Sequence, residues 1–97
     1  MLHMVNKSPF SNSALEEAAR IASKGSPILL IEDGVYAARA GTSFAPKLAD
    51  ILKDHPVYVL TPDLKARAVD KLVEGVEQVD YSGFVDLVEK DKVHSWV

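Results

Sequence analysis

Four carboxylates follow closely on aliphatic stretches: Glu32 and Asp33 after Ile28-Leu29-Leu30-Ile31, Asp63 just beyond Val57-Tyr58-Val59-Leu60, and Asp80 after Val76-Glu77-Gln78-Val79. Gathered at one edge of a sheet, such groups could hold a cation or work as acid and base. Helix chemistry accounts for three of them. Asp33 and Asp80 are natural caps, and Asp63 falls where a helix dipole is positive. Glu32 has no such role. It comes directly after a buried run, where an unpaired charge is expensive, so it is expected to pair with Lys7 or with a neighbouring chain.

Other chemistries are excluded by composition. The chain has no cysteine, which removes thiol nucleophiles, disulfides and Cys-ligated zinc. His3, His55 and His94 are too widely spaced for a local metal motif and lack the i, i+4 partner of helical zinc sites, so neither a metal nor a triad is expected. His55 reads as the close of a helix, His94 as a residue beside an edge, and His3 as a hydrogen-bonded core histidine. The run Glu32-Asp33-Gly34 offers one glycine and two negative charges, which repel an anion rather than cradle it, so no nucleotide cofactor is expected. A net charge of −3, from 11 basic and 14 acidic residues mixed along the chain, leaves no basic stripe for nucleic acid. The longest aliphatic run, Ile28 to Ile31, is far short of the ~20 residues that span a bilayer, and Met1 to Phe10 does not read as a secretory leader. The expected location is the cytoplasm.

The elements that would position these residues can be read in order. A chain of 97 residues, 47% apolar and 26% charged, is expected to make one small globular domain over 1–97. Leu2 to Val5 reads as a strand, stopped before Ser8-Pro9. Ser13 and Glu16 form a capping-box pattern, predicting a helix from Ala14 with Leu15, Ala18, Ala19 and Ala22 on its buried face and Lys24-Gly25 at its end. Ile28 to Ile31 is apolar throughout, as a central parallel strand covered on both faces requires. Asp33 is expected to cap a short helix through Val35, Tyr36 and Ala38. Ser43 is expected to cap the next, which carries Leu48, Ile51 and Leu52 and tolerates Pro46 in its first turn. Val57 to Leu60 is a third strand. Thr61-Pro62-Asp63 starts a helix, read through Leu64, Ala68 and Leu72 to a stop at Gly75. Val76 to Val79 is a fourth strand, Phe84, Val85, Leu87 and Val88 mark a last helix, and the tail from Val93 to Trp96 suits an edge strand.

Alternating strands and helices with short connections predict an α/β fold: a mainly parallel sheet of four to five strands with helices on both sides. The carboxyl ends of its strands, where such folds gather ligands and partners, would present Asn6-Lys7-Ser8, Glu32-Asp33-Gly34, Thr61-Pro62-Asp63 and Asp80-Tyr81. Phe10 and Trp96, near exposed ends, suit an interface.

Several ordered blocks resemble the TusB/DsrH family. They are the run from Leu2 to Phe10, then Glu32-Asp33-Gly34-Val35-Tyr36-Ala37-Ala38, then Tyr58-Val59-Leu60 with Pro62 to Arg67. Asp80-Tyr81, Gly83 to Leu87, Lys92-Val93 and Ser95-Trp96 extend the likeness to the tail. The resemblance implies a three-layer, DsrE-like (flavodoxin-like) domain serving as the smallest subunit of a cytoplasmic sulfurtransferase complex. It implies TusC/DsrF-like and TusD/DsrE-like partners in a dimer of heterotrimers, and a TusE/DsrC-like sulfur acceptor downstream. In the Tus system the relay leads to 2-thiouridine at the tRNA wobble position; in the Dsr system it serves sulfur oxidation. DsrH-like members often carry a cysteine in the first helix, and the matching position here is Ala18. No catalytic residue is therefore expected in this chain. The strand-end and interface candidates are Lys7, Phe10, Glu32, Asp33, Gly34, Tyr36 and Trp96. A stand-alone ligand-binding domain using Lys7, Glu32 and Asp33, or a homo-oligomeric scaffold, are the readings from other classes.

Overall fold

The computed structural model describes residues 1–96. Five strands, β1 (Leu2–Val5), β2 (Ile28–Leu30), β3 (Val57–Leu60), β4 (Glu77–Val79) and β5 (Val93–Trp96), form a single sheet in the order β4-β3-β2-β1-β5. Every neighbouring pair is parallel. Between the strands lie α1 (Ala14–Ile21), a 3-10 helix (Glu32–Ala38), α2 (Ala45–Leu52), α3 (Thr61–Ala66) and α4 (Tyr81–Lys90). The expected α/β architecture is present, with the apolar β2 at its centre and the tail strand at an edge.

Topology sets the layers. Three successive steps, β1 to β2 to β3 to β4, run in one direction, so right-handed crossovers stack their helices on one face. The last step returns across the whole sheet from β4 to β5 and carries α4 over the opposite face. The strand register fits this division, since alternate residues face opposite ways. Val5, Leu30 and Val59 are aligned, as are Ile28 and Val57, and all five pack in one cluster with Leu15, Ala18, Val35, Phe44, Leu48 and Leu64. Leu2, Leu29 and Leu60 face the other way and are also buried. No residue of α4 is fully buried; Phe84, Leu87 and Val88 are half-buried.

Local signals were realised with substitutions among neighbours. Helix α1 begins at Ala14 as expected, but Asn12 rather than a Ser13–Glu16 box accepts the free Ala14 N–H, at 2.6 Å. Ser13 Oγ instead reaches Glu17 Oε1 at 3.5 Å. The helix ends at Ile21, and Gly25 takes its left-handed φ of 91° in the following loop, where its N–H donates to Asp54 O at 2.7 Å. Ser43 does not cap α2: the helix starts without a side-chain cap, and Thr42 Oγ1 accepts the Phe44 N–H in the preceding turn at 3.2 Å. Asp33 caps nothing: the 3-10 helix starts without a side-chain cap. Asp80 does cap α4, accepting the Gly83 N–H at 2.8 Å.

The largest departure is α3, which stops at Ala66 rather than running to Gly75. Ala68 adopts φ 53°; its N–H donates to Lys65 O at 3.2 Å and that of Val69 to Leu64 O at 3.0 Å. These two bonds make a Schellman close, completed by apolar contact between the buried Leu64 and Val69. The spacing of Leu64, Ala68 and Leu72 mimics a helix face, yet it is Val69 that enters the core. Leu72 instead bridges Arg39 in an antiparallel pair, flanked by Ala40 N–H to Lys71 O and Val73 N–H to Ala38 O, both 2.8 Å.

Candidate functional site

The strand-end rim is assembled by the turns after β1, β2 and β3. The β2 turn is shaped by a close approach: Gly34 is buried against the Val5 carbonyl, so near that an added Cβ would collide with it. Its own N–H donates to Ile31 O at 2.8 Å. Beside it, Glu32 holds a left-handed φ of 49°, a conformation an L-residue adopts only when its surroundings over-determine it. The determinant is Asp63, whose Oδ2 accepts the Glu32 backbone N–H at 2.7 Å.

Arg67 ties the same loops together. Its Nε donates to Asp33 Oδ1 at 2.9 Å, and its Nη1 lies 3.5 Å from Asp63 O and 3.9 Å from Asp63 Oδ1. The hydrogen bond to Asp33 raises the guanidinium pKa further, aided by the charge of Asp63. Two carboxylates read from the sequence as a possible site are thereby committed to positioning the β2 and β3 turns. The i, i+4 spacing of Asp63 and Arg67 on α3 was the signal that could have exposed this network.

The remaining candidates divide. Lys7 and Glu32 are both exposed, and among the described residues no ion pair joins them; the expected pairing within the chain is not made. Phe10 is 55% exposed. Tyr36 is half-buried and packs on the core. Trp96, expected near an exposed end, also packs on the core, and its Nε1–H donates to His3 Nδ1 at 3.1 Å. Asn6 Oδ1 is buried at the end of β1 without a hydrogen-bond partner. Ala18 is fully buried. His55 is buried in a structural role, with Nδ1 2.9 Å from Ser26 O and Nε2 3.3 Å from Ala19 O. Among the described residues no group of three or more His, Asp or Glu side chains is placed to hold a metal ion, and no helix is long and apolar enough to cross a membrane. A shallow groove between α1 and α2, lined by Glu16, Ala19, Lys47, Asp50 and Ile51, is bridged by the Lys47–Glu16 pair at 3.4 Å.

The fold and rim define a small parallel α/β domain in which the strand-end carboxylates Asp33, Asp63 and Asp80 hold its own turns and the start of α4. A fold match with the ychN protein of E. coli agrees: TM-score 0.79 over 97% of both chains at 18% identity. A family model described as DsrH like protein matches residues 7–94. Protein TusB of Pectobacterium parmentieri is 34% identical over 99% of this chain and 100% of its own length. Protein TusB of Klebsiella pneumoniae is 36% identical over 93% of each chain. The chain belongs to the DsrH-like family, to which the sequence blocks had pointed.

Proposed function

We propose that this chain is a non-catalytic, supporting subunit of a cytoplasmic sulfur-relay complex, assembled with TusC/DsrF-like and TusD/DsrE-like chains as a dimer of heterotrimers. The observation that carries this reading is membership of the DsrH-like family by a chain with no cysteine. In persulfide relay an acceptor thiolate attacks the outer sulfur of a donor persulfide and the donor thiolate leaves; neither serine nor methionine can take that part. The sulfur must then travel on a partner. Burial of Ala18 supports the same view, because a side chain at that position sits under α1 and out of reach of a donor. The exposed Phe10 and the unpaired Lys7 and Glu32 are the proposed partner contacts at the rim.

Relatives named TusB favour the branch that ends in tRNA wobble 2-thiouridine, with a TusE/DsrC-like protein receiving the sulfur. The DsrH-like family description favours, as the second reading, a place in sulfur oxidation. Mass spectrometry of the assembled complex after incubation with cysteine and a cysteine desulfurase tests the role: the sulfur adduct is expected on a partner chain only. Sulfur transfer by this chain alone would overturn it. Deleting the gene separates the branches, by loss of wobble-uridine thiolation or loss of sulfur oxidation. If neither changes while the partners still assemble, the supporting role is wrong.

A further inference from the structure

The edge strand β5 pairs with one strand only, as β4 does at the opposite edge. Its single strand neighbour is β1, and Val93, His94 and Ser95 are exposed. Two fastenings secure its ends. At the start, the amino terminus of Met1 pairs with Asp91 Oδ2 at 2.8 Å and the Leu2 N–H donates to Lys92 O at 2.7 Å. At the finish, the indole of Trp96 lies half-buried against the core and donates to His3 Nδ1 at 3.1 Å.

The second fastening depends on one lone pair. His3 is 6% exposed, and its Nδ1 can accept the indole proton only while the ring is neutral with its own proton on Nε2. Protonation places an N–H on Nδ1, so two donors face each other across 3.1 Å. The groups facing His3 add to the penalty. They are His94 from β5, the amino terminus at the start of β1 and His55 from the turn after α2, each cationic or able to become so. The three rings of His3, His94 and Trp96 form one cluster, with centroids 5.9, 6.2 and 4.8 Å apart. We propose that the His3–Trp96 hydrogen bond is a proton-sensitive latch: protonation of His3 below neutral pH releases Trp96 and frays the edge strand β5. Burial, foremost, and the charge of His94 hold the His3 pKa below the ordinary imidazole value, so the latch is closed at neutral pH and opens under acid.

Trp96 is the sole tryptophan, so its indole N–H can be followed alone. Hydrogen exchange of that N–H and of the β5 amides, measured by NMR between pH 8 and pH 5 and corrected for intrinsic exchange, reads the latch directly. Protection is expected to fall below pH ~6.5, by about tenfold for each unit by which the fold lowers the His3 pKa. His94→Gln, which removes a like charge, is expected to move the midpoint upward while keeping the transition. His3→Gln, which offers a carbonyl acceptor that does not titrate, is expected to abolish it. A transition that persists unmoved in His3→Gln, or that vanishes in His94→Gln, overturns the proposal, the latter by assigning the effect to His94. If His3→Gln does not fold, direct NMR titration of the His3 ring in the unaltered chain decides: a His3 midpoint that does not coincide with loss of indole protection overturns the latch.

Discussion

The two faces of the sheet are built to different standards. On one, α1, the 3-10 helix, α2 and α3 close over Val5, Ile28, Leu30, Val57 and Val59, and Leu15, Ala18, Val35 and Leu48 are at most 1% exposed. On the other lie Leu2, Leu29 and Leu60, and α4 has none of its own residues fully buried, with Tyr81 and Val85 open to solvent. Hydrophobic stabilisation follows the apolar area removed from water, so the first face carries the fold and the second is held loosely.

The sharpest test of this contrast is a matched pair of truncations. Leu48→Ala, wholly buried at the first face, is expected to cost about 2–5 kcal/mol, whereas Leu87→Ala on the half-buried side of α4 should cost about 1 kcal/mol or less. Equal losses in urea melts would mean that the faces contribute alike. Gly34→Ala comes next. Its methyl would strike the Val5 carbonyl, forcing β1 and the β2 turn apart, and about 1–3 kcal/mol of destabilisation is expected, with a native-like melting temperature refuting the close approach.

Ala68→Gly should act in the opposite sense. Relief of the left-handed strain at φ 53°, offset by glycine's greater freedom in the unfolded chain, leaves an expected gain of up to about 1 kcal/mol. A lower melting temperature would show that Ala68 makes contacts worth more than the strain. The last effect depends on pH. A His3 pKa lowered on folding contributes stability that is fully present above its unfolded value and is lost as pH falls through the folded one. Stability should therefore decline below pH ~6.5, and His3→Gln should flatten that decline in thermal melts across the same range.

Strand positions, the parallel order of events along the chain and the central place of β2 were legible in the sequence, because they depend on local runs of apolar residues and on short connections. The blocks that resemble the DsrH-like family were legible for a different reason: they are patterns of residue identity, and comparison with relatives bears them out. The absence of a thiol was equally plain, being a matter of composition alone.

What only tertiary structure decided is which of several competent neighbours does each job. Asn12 and Thr42 accept backbone N–H groups where the chain enters α1 and α2, a part Ser13 and Ser43 also could play, since the acceptor is chosen by the path of the preceding loop. The close of α3 at Ala66 depends on whether Ala68 or Val69 meets the core, and helical spacing alone cannot rank them. The partners of Asp33 and Asp63 lie 34 and 31 residues away, at Arg67 and the Glu32 backbone. The His3–Trp96 bond spans 93 residues and exists because the last crossover returns β5 to the side of β1. Contacts of that separation are set by topology, and topology is a property of the whole chain at once.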